Sequence, residues 1–426
     1  MRLRGLRRGG AGGRAPHLLR HPGRLTLPPV QPVAAEGHGR LAVAIGLAAG
    51  PLVALGLARF AYALLLPAMS DDLSWSYSAA GALNTTNAAG YLLGALVAAP
   101  LARSFGTRRT FVWGTAVTTV ALALTAATST YAVLLTIRFV AGLAGALAFV
   151  LGAALVAEAS HRGSRGRAAV LLGVYFGGAG AGIVAAGLLV PLLLDVTDGA
   201  GWRQGWLALA AVGAVATLAA ARAARQVSDP VPAQDLARHW DRRLIGWAVV
   251  AYTCFGLGYI AYLTFISEYL TDEGMSGPLI AGFWAVVGLA AALSGLAWGP
   301  LLGRLGGSRG MAVVMTALAA GTVLPVLLDG PVAAYLSGAV VGGSFLAVVT
   351  AVSIAVRESL PQPHWTAGLA FATIAFGLGQ TVGPTLTGWV SDLTADLGTG
   401  LLLSGAILVV GAVVALLQPR HPERET

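Results

Sequence analysis

The sequence predicts an all-α membrane protein whose twelve transmembrane helices form two six-helix bundles. Three observations carry this. Of 426 residues, 56% are hydrophobic and only 11% charged, with a mean hydropathy of +0.76. A soluble domain needs about 25% charged residues to cover its surface. Twelve apolar runs follow one another, and anchor residues recur at a fixed offset of 200 positions.

The runs fall at 41–67, 78–99, 110–130, 131–158, 168–194, 202–220, 244–270, 277–300, 311–329, 332–357, 366–391 and 399–417. As helices, each matches the roughly 30 Å hydrocarbon core of a bilayer. The 27 cations are all arginine, and 24 of them lie in the tails and alternate loops that share one side of this map. The other side holds Arg203, and Arg59 and Arg138 fall inside runs. Positive loops stay in the cytoplasm. Both termini are therefore expected inside, in an inner (cytoplasmic) membrane.

The runs divide the chain. Residues 1–40 are rich in Arg, Gly and Pro and lack a signal-peptide core. They are expected to be a disordered cytoplasmic tail lying on anionic headgroups, or to precede the true start codon. An N-terminal bundle is expected over 41–220, a polar cytoplasmic connection over 221–243, a second bundle over 244–417 and a tail over 418–426.

Several classes are excluded by what is missing. The net charge of +9 suggests nucleic acid, but the arginines follow the membrane map instead. With no lysine there is no Walker A loop and no Schiff base. The single cysteine, Cys254, excludes an internal disulfide. No HExxH, GxSxG or carboxylate pair lies in a run, and the histidines fall in tails and loops. Neither an enzyme nor a metal or cofactor site is expected.

The halves repeat. Gly56-Leu57 and Ala61-Tyr62 match Gly256-Leu257 and Ala261-Tyr262. Pro100-Leu101, Gly106 and Arg109 match Pro300-Leu301, Gly306 and Arg309. Glu158 matches Glu358, and Phe176-Gly177 matches Phe376-Gly377. Parallel repeats about an axis along the membrane normal are a transporter architecture.

These residues resemble the major facilitator superfamily. The segment Ala99-Pro-Leu-Ala-Arg-Ser-Phe-Gly-Thr-Arg-Arg109 resembles its motif A, with a second copy at Gly299-Pro-Leu-Leu-Gly-Arg-Leu-Gly-Gly-Ser-Arg309. Arg138-Phe-Val-Ala-Gly142 resembles motif B, and the glycines of 177–182 resemble motif C. Leu57-Ala-Arg-Phe-Ala-Tyr62, Gly90-Tyr-Leu-Leu-Gly94, Phe255-Gly-Leu-Gly-Tyr-Ile260 and Gly379-Gln-Thr-Val-Gly-Pro384 are similar to the YbfB/YjiJ-type subfamily. The resemblance covers about 41–417. One departure weakens any latch built on motif A: its expected aspartate is Arg103 here and Gly303 in the second copy.

Candidate site residues follow from cost. A charge within hydrocarbon costs at least a few kcal/mol, so it normally faces the bundle interior. Arg59 is expected inside rather than snorkelling. Arg138 either faces substrate or ties helices together through backbone carbonyls. Asn84, Asn87 and Tyr91 share one helix face, as do Tyr252, Phe255, Tyr259 and Tyr262, and Thr373, Phe376, Gln380 and Pro384. With Tyr62, these stripes supply the expected substrate contacts, with helix packing as the alternative. The glycine run 173–187 is expected to pack helices closely. Glu158 and Glu358 are expected to gate the cytoplasmic side by pairing with loop arginines such as Arg103, Arg109, Arg304 and Arg309. Glu268, the acid nearest the interior, either pairs with an arginine or titrates as a coupling site.

The expected activity is secondary or facilitated transport of a small organic solute, an anion because the buried charge is positive. Protons are the candidate coupling ion, and the carrier is expected to act as a monomer in the bilayer. Two alternatives remain: proton-coupled efflux of drug-like compounds, and a non-transporting receptor or scaffold on the same fold.

Overall fold

The computed structural model describes residues 33–160, 165–197, 201–230 and 241–419. Its described residues form the twelve helices the apolar runs foretell. The spans are Gly39–Leu73, Tyr77–Phe105, Thr107–Ala126, Tyr131–Ser160, Val170–Leu194 and Trp202–Ala224 in the first half. In the second half they are Arg242–Asp272, the two parts of Gly277–Leu327, Pro331–Ser359, Trp365–Thr394 and Leu397–Leu416. They are numbered one to twelve below. Span three is the most polar: it opens on Thr107-Arg-Arg-Thr and carries further threonines. Thr110, Thr115, Thr118, Thr119 and Thr125 each return a hydroxyl to the carbonyl four residues back, which makes them tolerable in hydrocarbon.

The first helix begins at Val33, eight residues before the first apolar run. Residues 33–40 are thus helical rather than a disordered tail, while 1–32 lie outside the described residues. Pro32 precedes this helix, and a proline readily stands at such a start. Of the connection, 231–240 lie outside the described residues.

The repeat is visible in the backbone. Spans eight and nine run on as one helix except at Gly306, whose φ of 76° breaks it. Gly106 separates spans two and three with a φ of 87°. Both positions need a left-handed conformation that glycine adopts without strain. This accounts for the glycine common to the two motif A copies.

Span one is irregular where it matters. From Leu52 to Phe60 it widens into a π-helix. Pro51, lacking an N–H, stands just before this stretch. Such widened turns are frequent at functional sites, and Arg59 lies inside this one.

Glycines set the close crossings within and between the halves. A Cβ on Gly142 would collide with the Asn87 carbonyl, joining spans two and four. One on Gly182 would strike Leu52 and Gly56 of span one, and one on Gly178 would strike Ala48. Gly173 and Gly177, in the same run, have open space instead. Only part of that glycine run is therefore explained by packing.

Spans two and eleven, five and eight, and one and seven form the seam between the halves. Gly81 meets the Pro384 backbone and Gly388 meets the Tyr77 backbone. Gly187 meets Trp284, and Gly180 lies against Gly288. These crossings lie towards the arginine-poor end of the bundle. Further towards the arginine-rich end, a Cβ on Gly295, Gly299 or Gly303 would meet nothing within 4 Å.

Candidate substrate site and gates

Near mid-height the π-helical turn carries Arg59 inward, and the residue is only 4% exposed. Its Nη2 donates to Gln380 Oε1 on span eleven at 2.7 Å. Gln380 Nε2 in turn donates to the Tyr259 hydroxyl on span seven. The guanidinium lies over the Tyr91 ring of span two, 5.5 Å from its centroid. Arg59, Tyr91, Tyr259 and Gln380, all expected from the sequence, thus meet at one point across both halves.

Aromatic rings extend from this point on each side. Tyr259, Phe255, Tyr252 and Phe376 stack nearly parallel, with Tyr252 and Phe376 centroids 4.6 Å apart. Phe345 of span ten continues the stack from Tyr259 at 6.1 Å. In the first half Tyr91 meets Phe149, and Phe149 meets Phe176. The repeat partners Phe176 and Phe376 therefore belong to corresponding aromatic groups. Phe149 and Phe345 were not legible, since neither falls on a polar stripe or in a motif.

No described carboxylate pairs with Arg59, and its Nε has no hydrogen-bond partner among the described residues. A buried cation with a neutral partner and a free N–H can accept an anion. The rings beside it offer flat apolar area.

Arg138 takes the other course. It is 1% exposed and donates from Nη1 to the Ala58 carbonyl at 2.6 Å. Its guanidinium lies 4.7 Å from the Tyr62 ring centroid and 5.8 Å from that of Trp206. Tyr62 donates to the Ala80 carbonyl, and Asn87 donates to the Arg138 carbonyl. Tyr62, Asn87 and Arg138 thus make a knot inside the first half, apart from the Arg59 cluster. Tyr262 is likewise occupied within its own half, bonded to Ser337 at 2.5 Å. Asn84 donates across the seam to Thr264 at 2.5 Å. The shared face of Asn84, Asn87 and Tyr91 therefore divides among three partners.

Glu268 is buried near the arginine-poor end and, among the described residues, forms no ion pair with an arginine. Its carboxylate lies beside the Ser70 hydroxyl. Asp71 and Asp272 are its charged neighbours. A cavity of about 270 Å³ is lined by Asp71 together with Pro67, Pro191, Ser267, Thr271 and Ile280, among others.

The expected cytoplasmic gate takes a different form. Glu358 Oε2 accepts the Gly307 N–H at 2.9 Å, capping span nine at its break. Among the described residues, no ion pair joins Glu158 or Glu358 to Arg103, Arg109, Arg304 or Arg309. These four arginines are exposed or nearly so. The side chains of Arg162, Arg165 and Arg167 lie outside the described residues. In the first half, the corresponding cap comes from the connection: Asp229 Oδ1 accepts the Arg108 N–H at 3.0 Å.

Comparison with known proteins agrees with this architecture. The family described as "Uncharacterised MFS-type transporter YbfB" matches residues 51–416. A chloramphenicol resistance protein of Streptomyces lividans is 28% identical over 381 residues, covering 85% of this chain and 94% of that protein. Among solved structures, the nucleoside transporter NupG superposes with a TM-score of 0.72 at 14% identity, covering 88% of this chain and 99% of that one. A bacterial homologue of the human lysosomal transporter Spinster, in an inward-facing unoccupied conformation, gives 0.68 at 15% identity, covering 91% and 98%. The chain belongs to the YbfB-type family of major facilitator superfamily transporters.

Proposed function

We propose that this transporter moves a small organic anion across the inner membrane by alternating access, with Arg59 as the anchor for its charge. The observation that carries this reading is a buried guanidinium at the seam between the halves, held across it by a neutral amide, with one N–H free and, among the described residues, no carboxylate beside it. An incoming carboxylate would replace a neutral acceptor with a charged one, which binds about twice as strongly. Tyr91, Tyr252, Tyr259 and Phe376 favour a cargo with a flat ring. Arg138 supports the site by holding span four to span one.

Arginine asymmetry supports an orientation with both termini cytoplasmic. The halves, joined towards the arginine-poor end, would then be closed to the outside. Glu268 is the candidate proton carrier, being a buried acid with no ion-pair partner among the described residues.

The likeness to a chloramphenicol resistance protein over most of its length favours a second reading, export of drug-like aromatic compounds. Untargeted comparison of small molecules inside and outside cells, with and without the gene, separates the two. The compounds that move with the gene should be carboxylates, and should then show flux in proteoliposomes holding the purified protein. A set made up of neutral compounds would favour the second reading, and permanent cations would exclude the first.

A further inference from the structure

We infer that Asp392 is the latch of the gate at the arginine-poor end, because it caps span two from the opposite half. Span two begins at Tyr77, and a helix start leaves four backbone N–H groups without helical partners. Those groups belong to Ser76, Tyr77, Ser78 and Ala79, and one is met locally: Ser76 Oγ accepts from Ala79 N. Two more, Tyr77 and Ser78, are met from across the seam. Asp392 Oδ1 accepts Tyr77 N at 2.8 Å and Oδ2 accepts Ser78 N at 2.9 Å. Asp392 belongs to span eleven, in the second half.

The arrangement joins three effects in one contact. The carboxylate is charged, it sits at the positive end of a 29-residue helix dipole, and both oxygens are used. Directly beneath it, Gly388 and Gly81 let the two backbones touch, and Thr385 donates to Thr85 at 2.8 Å. The seam is therefore closed from its mouth down to the Arg59–Gln380 bond. When the halves part at this end, span two loses two of its three capping bonds.

The repeat shows that the latch is one-sided. Ser276 occupies the same N-cap position in span eight that Ser76 occupies in span two. Behind it stand Gly277 and Pro278, and Pro278 has no N–H to offer. Spans five and eight meet instead through apolar contacts, Gly187 on Trp284 and Gly288 on Val184. Such a surface can slide without losing directed bonds. The polar seam of spans two and eleven thus works as the catch, and the apolar seam of spans five and eight as the sliding side.

This inference rests on rocking of the halves and is independent of the cargo. Spin labels on Ala127→Cys and Asp329→Cys, in a Cys254→Ala background, report the separation of the halves at this end. Both positions are exposed, in loops of opposite halves. Pulsed electron resonance in proteoliposomes without cargo should show a short distance as the main component. Asp392→Ala should raise the long-distance component several-fold. Ser78→Pro removes one donor, as at Pro278, and should shift it the same way by less. Asp396→Asn, a cap within the second half, should leave it unchanged. The inference is wrong if both seam variants keep the parent distribution, or if Asp396→Asn shifts it as much as Asp392→Ala. A cargo assay that fails while the distance still responds to Asp392 sinks the anion reading alone.

Discussion

Arg59 and Arg138 are the same residue type, in the same half, and the bilayer penalises both, yet their surroundings assign them different work. Arg138 spends its charge on a carbonyl and two aromatic faces within one half. Arg59 instead reaches across the seam to an amide of the other half. Both keep unpartnered donors among the described residues, Nε in Arg59 and Nε and Nη2 in Arg138, so it is the place of the guanidinium, at the seam or within one half, that separates them. The sequence reveals both as buried cations, because charge inside an apolar run is costly. It could not separate them, since the difference lies in which carbonyl and which ring each one meets. Arg138→Lys should therefore lower thermal stability in detergent by about 1–3 kcal/mol, because an ammonium cannot match the planar guanidinium between Tyr62, Trp206 and the Ala58 carbonyl. Thermal unfolding of the purified protein checks this without any cargo. A variant as stable as the parent would remove the structural role given to Arg138. Tyr62 and Tyr262 teach the same lesson: both lie on an aromatic stripe or in a motif, but their hydroxyls serve packing at Ala80 and Ser337.

At the level of single helices, hydropathy locates spans well and their ends poorly. It reports burial in lipid, whereas a helix continues until its backbone bonds fail. Span one therefore starts before its apolar run, and span nine begins at the Gly306 break rather than at 311. Nothing in the sequence spells out the π-helical turn around Arg59, although Pro51 stands where it begins. Close crossings were partly legible as glycines, but their partners were not. Gly142 sits against the Asn87 carbonyl with no room for a methyl group. Gly142→Ala should cost about 1–3 kcal/mol of stability by overpacking, read as a lower melting temperature, whereas Gly173→Ala faces open space and should be near neutral. Equal effects at the two sites would contradict the packing described for spans two and four. Span twelve offers a separate check. Asp396 accepts from Gly398 N, Thr399 N and the Thr399 hydroxyl, and these bonds hold its carboxyl below the usual carboxylate range. A lowered carboxyl contributes stability above its unfolded value and loses it as pH falls through the folded value. Asp396→Ala should thus lower stability by about 1 kcal/mol at neutral pH, with a smaller difference in strong acid.

Across the whole molecule, the offset of 200 positions held enough information to foresee two bundles, since Tyr, Pro, Glu and Arg rarely coincide by chance in an Ala-, Gly- and Leu-rich chain. Departures from the repeat were also visible as residues, such as Arg59 against Tyr259 and Ser78 against Pro278. Their consequence needed three dimensions, because the site and the latch both join residues about 300 positions apart. Orientation remains testable on its own. Reporter fusions after Gln226 and at the C-terminus should both read cytoplasmic, and a periplasmic signal from either would reverse the assignment of the closed end. The central claim is that Arg59 holds the charge of an anionic cargo. It is tested most directly by flux of a cell-derived carboxylate into proteoliposomes carrying equal amounts of parent or Arg59→Gln protein. Glutamine keeps hydrogen-bonding capacity but removes the charge, so flux should fall at least tenfold while the protein still inserts and folds. Flux at the parent rate through Arg59→Gln would contradict it.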